Sequence, residues 1–287
     1  MPIEWLREIA ANADDLYDPF VVRRGAKSRI IDRPRKTLRK TQRRIYRALL
    51  REYPFPAFVR AGVPSRSLMS AVRRHVQQPV VVTADVKNFY PSVTDDAVFS
   101  LWRRLGHGEK VSGLLTRLAT RNHHLPQGAP TSLALANLLL APVDIKMFAE
   151  LTRAFPDIRY SRWVDDMIFS GSLEPSVVYE IVARHLKAVG LSLHRGRTKR
   201  RVMSAGTRQE ILGSVVNHKP TLSRQRRSLI RAIVHNVKNH GGELAVVRGH
   251  IQYLRSFHLT LADQLNDSIA LAPILFKRHR HTSERQA

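Results

Sequence analysis

Asp165 and Asp166 stand side by side inside an apolar run, Arg159-Tyr-Ser-Arg-Trp-Val-Asp-Asp-Met-Ile-Phe-Ser-Gly171. Two carboxylates among Trp163, Val164, Met167, Ile168 and Phe169 are costly to bury unless something cationic offsets them. Along one strand the two side chains would also point to opposite faces. A tight hairpin with the pair at its tip resolves both difficulties, because the tip can offer carboxylate to a divalent cation. Most Asp-Asp pairs are solvated turns, so the pair alone is a weak signal; a third acid strengthens it. Asp85 closes the valine-rich run Pro79-Val-Val-Val-Thr-Ala-Asp85, which reads as a buried central strand. The plainer reading of Asp85 is a helix cap or a salt-bridge partner. The next helix, however, has its own start signal in Thr94-Asp95-Asp96, so no cap is needed. One acid ending a buried strand and two at an apolar hairpin form the set that two-metal nucleotidyl transfer requires. Two Mg2+ ions, with Mn2+ as a substitute, would activate an attacking hydroxyl and neutralise a leaving pyrophosphate.

The elements that must position these acids follow from pattern. Residues 3–17 suggest a short amphipathic helix. Phe20–Gly25 and Lys27–Pro34 suggest a basic hairpin, and Leu38–Glu52 and Ser67–His75 two further helices. After the Val80–Asp85 strand come helices over Asp95–Leu105, stopped by Gly106, and over Glu109–Thr120. The turn Leu125-Pro-Gln-Gly-Ala-Pro-Thr-Ser132 leads into an apolar helix, Leu133–Glu150, expected to bend near Pro142. The acidic hairpin spans 159–170. Pro175 opens a helix that Gly190 ends. Short strands are expected near Leu191–His194, Arg200–Met203 and Gln209–Asn217, then helices over Arg224–His240, Glu243–Phe257 and Ala262–Leu271. The order favours an α+β sheet over a doubly wound parallel one.

The chain has 287 residues, 48 Lys and Arg against 23 Asp and Glu, and a formal charge of +25. Its basic residues run through the whole length, which predicts a positive folded body and a polyanionic partner, nucleic acid before membrane. No stretch approaches 18 consecutive apolar residues, and the start, Met-Pro-Ile-Glu-Trp, lacks a signal peptide's pattern. Cysteine is absent, so disulfides and thiolate metal sites are excluded. The expectation is a soluble cytoplasmic nucleic-acid protein without a membrane partner.

Taken in order, these segments resemble the motifs of a bacterial retron-type, group II intron-like reverse transcriptase. The resemblance rests on the hairpin with Gly25, Lys27, Arg29 and Pro34; on Val82–Val93; on Leu125–Asn137; on Trp163-Val-Asp-Asp166; and on Gly196–Lys199, Ile211–Asn217 and Arg248–Ser256. It covers roughly residues 18–265. It implies a right-hand polymerase fold: N-terminal helix and fingers over 1–78, palm over 79–220 with inserted helices at about 106–124, helical thumb over 221–276, and a basic tail over 277–287. Asp85, Asp165 and Asp166 would be the catalytic acids and metal ligands, with the Val86 carbonyl as a further contact. Tyr90 would press on the sugar C2′ and favour deoxynucleotides; a core aromatic beside Phe89 is the alternative. Gln127 and Gly128 would sit under the incoming nucleotide, and Lys27 and Arg29 would hold its triphosphate. Lys199 would protonate pyrophosphate, unless it belongs to a solvated basic face. Leu212 and Gly213 would lie in the hairpin that grips the primer end.

The pattern has departures. Ser70-Ala71-Val-Arg-Arg-His75 stands where retron enzymes carry Asn-Ala-x-x-His, Ile211-Leu212-Gly213 replaces Val-Thr-Gly, Ser132-Leu133 replaces Ser-Pro, and Trp163-Val164 replaces Tyr-Ala. None touches the proposed metal ligands. The short stretch after the last helix is expected to leave no room for an RNase H, endonuclease or maturase domain. The implied enzyme is an RNA-directed DNA polymerase that copies a dedicated structured noncoding RNA, using dNTPs and an RNA–DNA hybrid. A retron in antiphage defence, with an effector protein as a further partner, is the implied setting. The alternatives are a non-retron defence enzyme with protein priming or untemplated synthesis, and a catalytically silent RNA-binding scaffold.

Overall fold

The computed structural model describes residues 2–24, 27–196 and 199–270. Gly25, Arg197, Thr198 and the basic tail lie outside the described residues. The chain forms two compact units, one up to Thr207 and one from Arg208 onward. The short strands at Glu210–Ile211 and Ser214–Val215 therefore cluster with the helices that follow them, whereas the sequence reading placed residues up to 220 with the palm.

In the first unit, helix α1 (Ile3–Ala11) is shorter than its periodicity suggests. The Asn12 side chain donates back to the Glu8 carbonyl at 3.0 Å, and a 3-10 turn over Ala13–Leu16 follows. Strands β1 (Tyr17–Arg24) and β2 (Lys27–Pro34) pair antiparallel, from Tyr17↔Pro34 to Arg24↔Lys27. Helix α2 (Lys36–Ile45) then widens into a π turn, Tyr46–Leu50, where a continuous helix to Glu52 was expected. Helix α3 (Leu68–Val72) is opened by a reciprocal cap between Ser67 and Ser70 and runs into a 3-10 turn, Arg73–His75.

The four-stranded sheet holds the order β4-β5-β3-β6, antiparallel throughout: β3 (Val80–Asp85), β4 (Arg159–Trp163), β5 (Asp166–Gly171) and β6 (Arg201–Ser204). Leu191–His194 is no full strand; only Leu193 bridges to Val86. After a short turn of helix, α4 (Phe89–Ser92), come α5 (Asp95–Arg104), α6 (Glu109–Ala119), α7 (Ser132–Ala154) and α8 (Pro175–Lys187). As expected, Thr94 caps α5 and accepts from Ala97 N. One continuous core joins Val82, Ala84, Met167 and Phe169 of the sheet to Trp102 of α5, Leu135 and Met147 of α7 and Val182 of α8. Helix α7 is long and apolar enough to cross a membrane, yet 61% of its most apolar window is buried inside the protein.

The second unit has a small meander, β7 (Glu210–Ile211), β8 (Ser214–Val215) and β9 (Thr221–Leu222). Three helices follow: α9 (Arg224–His240), α10 (Leu244–Arg255) and α11 (Leu259–Ala270). Leu222, Ile230, Val234, Val247, Ile251, Leu254 and Ala262 form its core.

A fully buried histidine ties the sheet's hairpin to the segment before it. His75 Nδ1 and Nε2 each lie 2.7 Å from a hydroxyl, Ser170 on β5 and Ser161 on β4. Burial pushes its pKa down to about 3, helped by Arg74, Arg159 and Arg60. The unfolded chain takes up this proton near 6.5, and the folded site refuses it until about pH 3. Stability should therefore be complete above pH 6.5 and fall with pH below it, by a few kcal/mol toward pH 4. Urea unfolding of wild type and His75→Gln across pH 4–8 checks this: the variant should show a flatter acid limb.

Candidate active site

Two backbone features bring three carboxylates together. Register pairs Asp85 directly with Asp166 across β3 and β5, which sets their Cα atoms about 4.5–5.5 Å apart. The β4–β5 connection is a two-residue turn, Val164-Asp165, with Trp163 paired to Asp166 at its base. The Val86 N–H donates to the Asp165 carbonyl at 3.2 Å, fastening the turn to the end of β3. The acid pair thus sits at a hairpin tip as expected, with Asp165 in the turn and Asp166 opening the strand.

Val164 adopts φ +61°, a conformation that a β-branched side chain resists. Arg162, with no exposure at all, holds the turn in place. Its Nη1 donates to the Val164 carbonyl at 3.0 Å and to Asn137 Oδ1 at 2.8 Å, and its Nε donates to Asp144 Oδ2 at 2.9 Å. Tyr160 donates its hydroxyl to the other Asp144 oxygen at 2.7 Å. Burial raises the Asp144 pKa, against the pull of Arg162 and of these hydrogen bonds. The sequence reading missed this network. Its signal was a single acid in an otherwise apolar helix stretch and an arginine inside a buried strand.

The acids repel one another. Burial, then Asp165 and Asp85, pushes the Asp166 pKa up to about 6. Burial and Asp85 also raise Asp165, opposed by Lys199 and Arg29. Lys199 Nζ is bonded to Asp85 Oδ2. In this state Asp85 is thus a salt-bridge partner, and Lys199 lies in the acid cluster instead of on a solvated face. Among the described residues, no three His, Asp or Glu side chains already stand as a ready metal-holding group. The donor chemistry nevertheless fits divalent cations: three carboxylates, two with pKa values raised by burial and by their neighbours' charge, and a lysine ammonium standing where positive charge is wanted. The Val86 carbonyl could join them, since the bridge to Leu193 uses the Asp85 carbonyl and the Lys87 N–H instead.

Other predicted residues fall into place unevenly. Tyr90 is partly buried against Phe89, ring centroids 5.5 Å apart, and its pKa is pushed up to about 12 by burial and by Asp165. The ring therefore stands close enough to Asp165 to feel its charge. Arg29 is exposed on β2. Lys27 begins β2, and its side chain lies outside the described set. The Gln127 carbonyl accepts from Asp32 N at 2.8 Å. Gly128, at φ +124°, is needed for a reason the sequence reading did not give: a Cβ there would come within 2.9 Å of Ile31 Cγ2 and 3.1 Å of the Asp32 carbonyl. The close approach it permits is to β2. Leu212 and Gly213 form the β7–β8 turn, both with positive φ, +48° and +76°.

Because Asp166 prefers its proton when buried, its ionisation costs stability above pH 3.8, fully so above about 6. Asp166→Asn should raise the melting temperature at pH 7.5 in chelator, by the equivalent of roughly 1–3 kcal/mol, and the gain should vanish near pH 4. Equal melting temperatures at pH 7.5 would show that the cluster carries no such repulsion.

Residues 23–220 match the family described as reverse transcriptase (RNA-dependent DNA polymerase). The retron Mx65 reverse transcriptase of Myxococcus xanthus is 31% identical over 262 residues, covering 84% of this chain and 60% of that protein. The retron Se72 reverse transcriptase of Salmonella heidelberg is 28% identical, covering 78% and 62%, and the retron Ec86 reverse transcriptase of Escherichia coli 25%, covering 88% and 80%. The chain thus spans only about three-fifths of the first two relatives' length. Among solved structures, telomerase from Candida albicans in complex with a fragment of telomeric RNA gives a TM-score of 0.54 at 10% identity, over 92% of this chain and 57% of that one. Apo telomerase from Candida tropicalis gives 0.51 at 10%, over 88% and 55%. At that identity the likeness speaks for the fold alone, the α+β polymerase fold expected above. The matched span takes in β3, the acidic hairpin and the turn before α7, and with them this chain belongs to the reverse transcriptase (RNA-dependent DNA polymerase) family, with retron enzymes among its relatives.

Proposed function

We propose that this chain is an RNA-directed DNA polymerase that copies a dedicated noncoding RNA into DNA, as a retron enzyme in antiphage defence. The observation that carries the reading is the pairing of Asp85 with Asp166 beside Asp165, three acids gathered in a chain of charge +25. Asp85, Asp165, Asp166 and the Val86 carbonyl would hold two Mg2+ ions. Bound there, the ions supply activation of the attacking hydroxyl and neutralisation of the departing pyrophosphate.

The chain's own residues do the rest. A primer 3′-hydroxyl is aligned on the α-phosphorus of a dNTP; the new O–P bond forms as the α–β anhydride bond breaks. Arg29 and Lys27 would hold the triphosphate from β2 by charge-assisted hydrogen bonds. Gln127 and Gly128, backed onto that same strand, would form the floor under the nucleotide. Tyr90 would exclude a 2′-hydroxyl by contact. Lys199, released from Asp85 once the cluster's charge is otherwise met, would give its proton to the leaving pyrophosphate. The β1–β2 hairpin would then be fingers, the β3–β6 sheet palm, α9–α11 thumb, and the Leu212-Gly213 turn the primer grip.

Primer extension on an RNA template with Mg2+ and dNTPs tests this. Wild type should extend, and Asp165→Ala with Asp166→Ala should lose at least about 10^3-fold in rate while keeping its RNA affinity. Equal extension by the double variant would sink the assignment. Sequencing of copurified nucleic acid should reveal a defined RNA joined to complementary DNA in wild type and RNA alone in the variant. Tyr90→Ala should raise ribonucleotide incorporation relative to dNTPs by about 10- to 100-fold; an unchanged ratio would remove the sugar gate.

A further inference from the structure

Helix α2 carries Lys40, Arg43 and Arg44, and the π turn adds Arg47. The spacing i, i+3, i+4, i+7 sets all four on one face, opposite the buried Leu38, Gln42 and Ile45. Like charges at these spacings repel and weaken a helix. No Asp or Glu occurs between Lys36 and Leu50 to relieve them. Among the described residues, none of the four forms an ion pair, although acids elsewhere in the chain do so repeatedly. With Pro2 and Trp5 the four cations line an open groove of about 610 Å3. Pi turns recur at functional sites, and this one brings Arg47 to the groove wall.

We propose that this groove is a second RNA site, in which Lys40, Arg43, Arg44 and Arg47 take consecutive phosphates of an unpaired strand and Trp5 stacks on a base. Seven residues of helix rise about 10 Å. The four cations are thus strung out along the helix, a spread that several phosphates of one strand meet better than an isolated anion would. An aromatic ring among cations is the usual platform for single-stranded nucleic acid. The site is distinct from the acid cluster, since its lining holds none of Asp85, Asp165, Asp166 and Lys199. The inference rests on the RNA-copying reading for its partner, and gives the chain a hold on its RNA away from the chemistry.

The full chain carrying K40Q, R43Q, R44Q and R47Q together tests it, since all four side chains are exposed and the fold should survive. The probe is a fluorescein-labelled single-stranded oligo(A) RNA of about 20 nucleotides, titrated at several salt concentrations. The variant should bind at least about tenfold more weakly at 0.15 M salt, and its slope of log K against log salt should flatten by about 2. Trp5→Leu should weaken binding about fivefold with the slope unchanged. RNA affinity within twofold of wild type and an unaltered slope in the quadruple variant would overturn the site. So would unchanged RNA binding alongside lost binding to vesicles of phosphatidylcholine and phosphatidylserine, which would make the face a membrane contact. Extension of a short pre-annealed RNA–DNA hybrid separates the two readings. If wild type fails to extend it while the quadruple variant loses RNA, the copying reading falls and the groove stands. If extension proceeds and RNA binding is untouched, the groove falls alone.

Discussion

The buried pair of Arg162 and Asp144 is the interaction on which the rest of the first unit turns. Neither side chain has any exposure, so each charge was taken out of water at a cost of several kcal/mol. That cost is met by the ion pair itself and by the hydrogen bonds around it. Asn137 and the Val164 carbonyl accept from Arg162 Nη1, and Tyr160 donates to Asp144. Loss of either partner would strand the other, which typically costs about 3–5 kcal/mol. The geometry also explains why a hydrophobic pair of similar volume would not serve equally well. Only a donor fork can hold the Val164 carbonyl, and that carbonyl belongs to the residue before Asp165. Helix α7 and the acidic turn are thereby fixed to each other by one guanidinium.

The acid cluster inverts the electrostatics of its surroundings. The chain carries an excess of positive charge, yet at this one place negative charge is so concentrated that burial and mutual repulsion raise two of the three pKa values. Lys199 answers part of that demand at Asp85. Under the proposed mechanism a bound cation would compete with this ammonium for the same oxygen and so free it for the leaving pyrophosphate.

Much of this was legible in the residues. The β3 strand was bounded correctly because valine runs and a terminal acid leave few other options, and the hairpin followed from two acids in an apolar run. The α9 helix spans Arg224–His240 as expected, and the structure adds the Ser223 cap at its start. What escaped notice depended on partners distant in sequence. His75 is one residue in a short basic segment until Ser161 and Ser170 reach it from the hairpin. Arg162 reads as an ordinary strand residue until Asp144 is placed beside it. Gly128 announces a tight turn, but only the fold shows that β2 fills the space a side chain would take. The π turn at Tyr46–Leu50 breaks a helical pattern that remains apolar in the right places, so periodicity alone could not register it.

The β4–β5 turn has a bearing on which changes in chain length the fold can absorb. Between Trp163 and Asp166 only two residues intervene, and both strands beyond are packed over most of their length. A single inserted or deleted residue there would shift the pairing by one, and side chains alternate strictly along a strand. Met167 and Phe169 would exchange faces with their neighbours, and Asp166 would turn away from Asp85. Residue types at this tip can therefore drift, as Trp163 and Val164 already do from the commoner pattern, while the number of residues cannot.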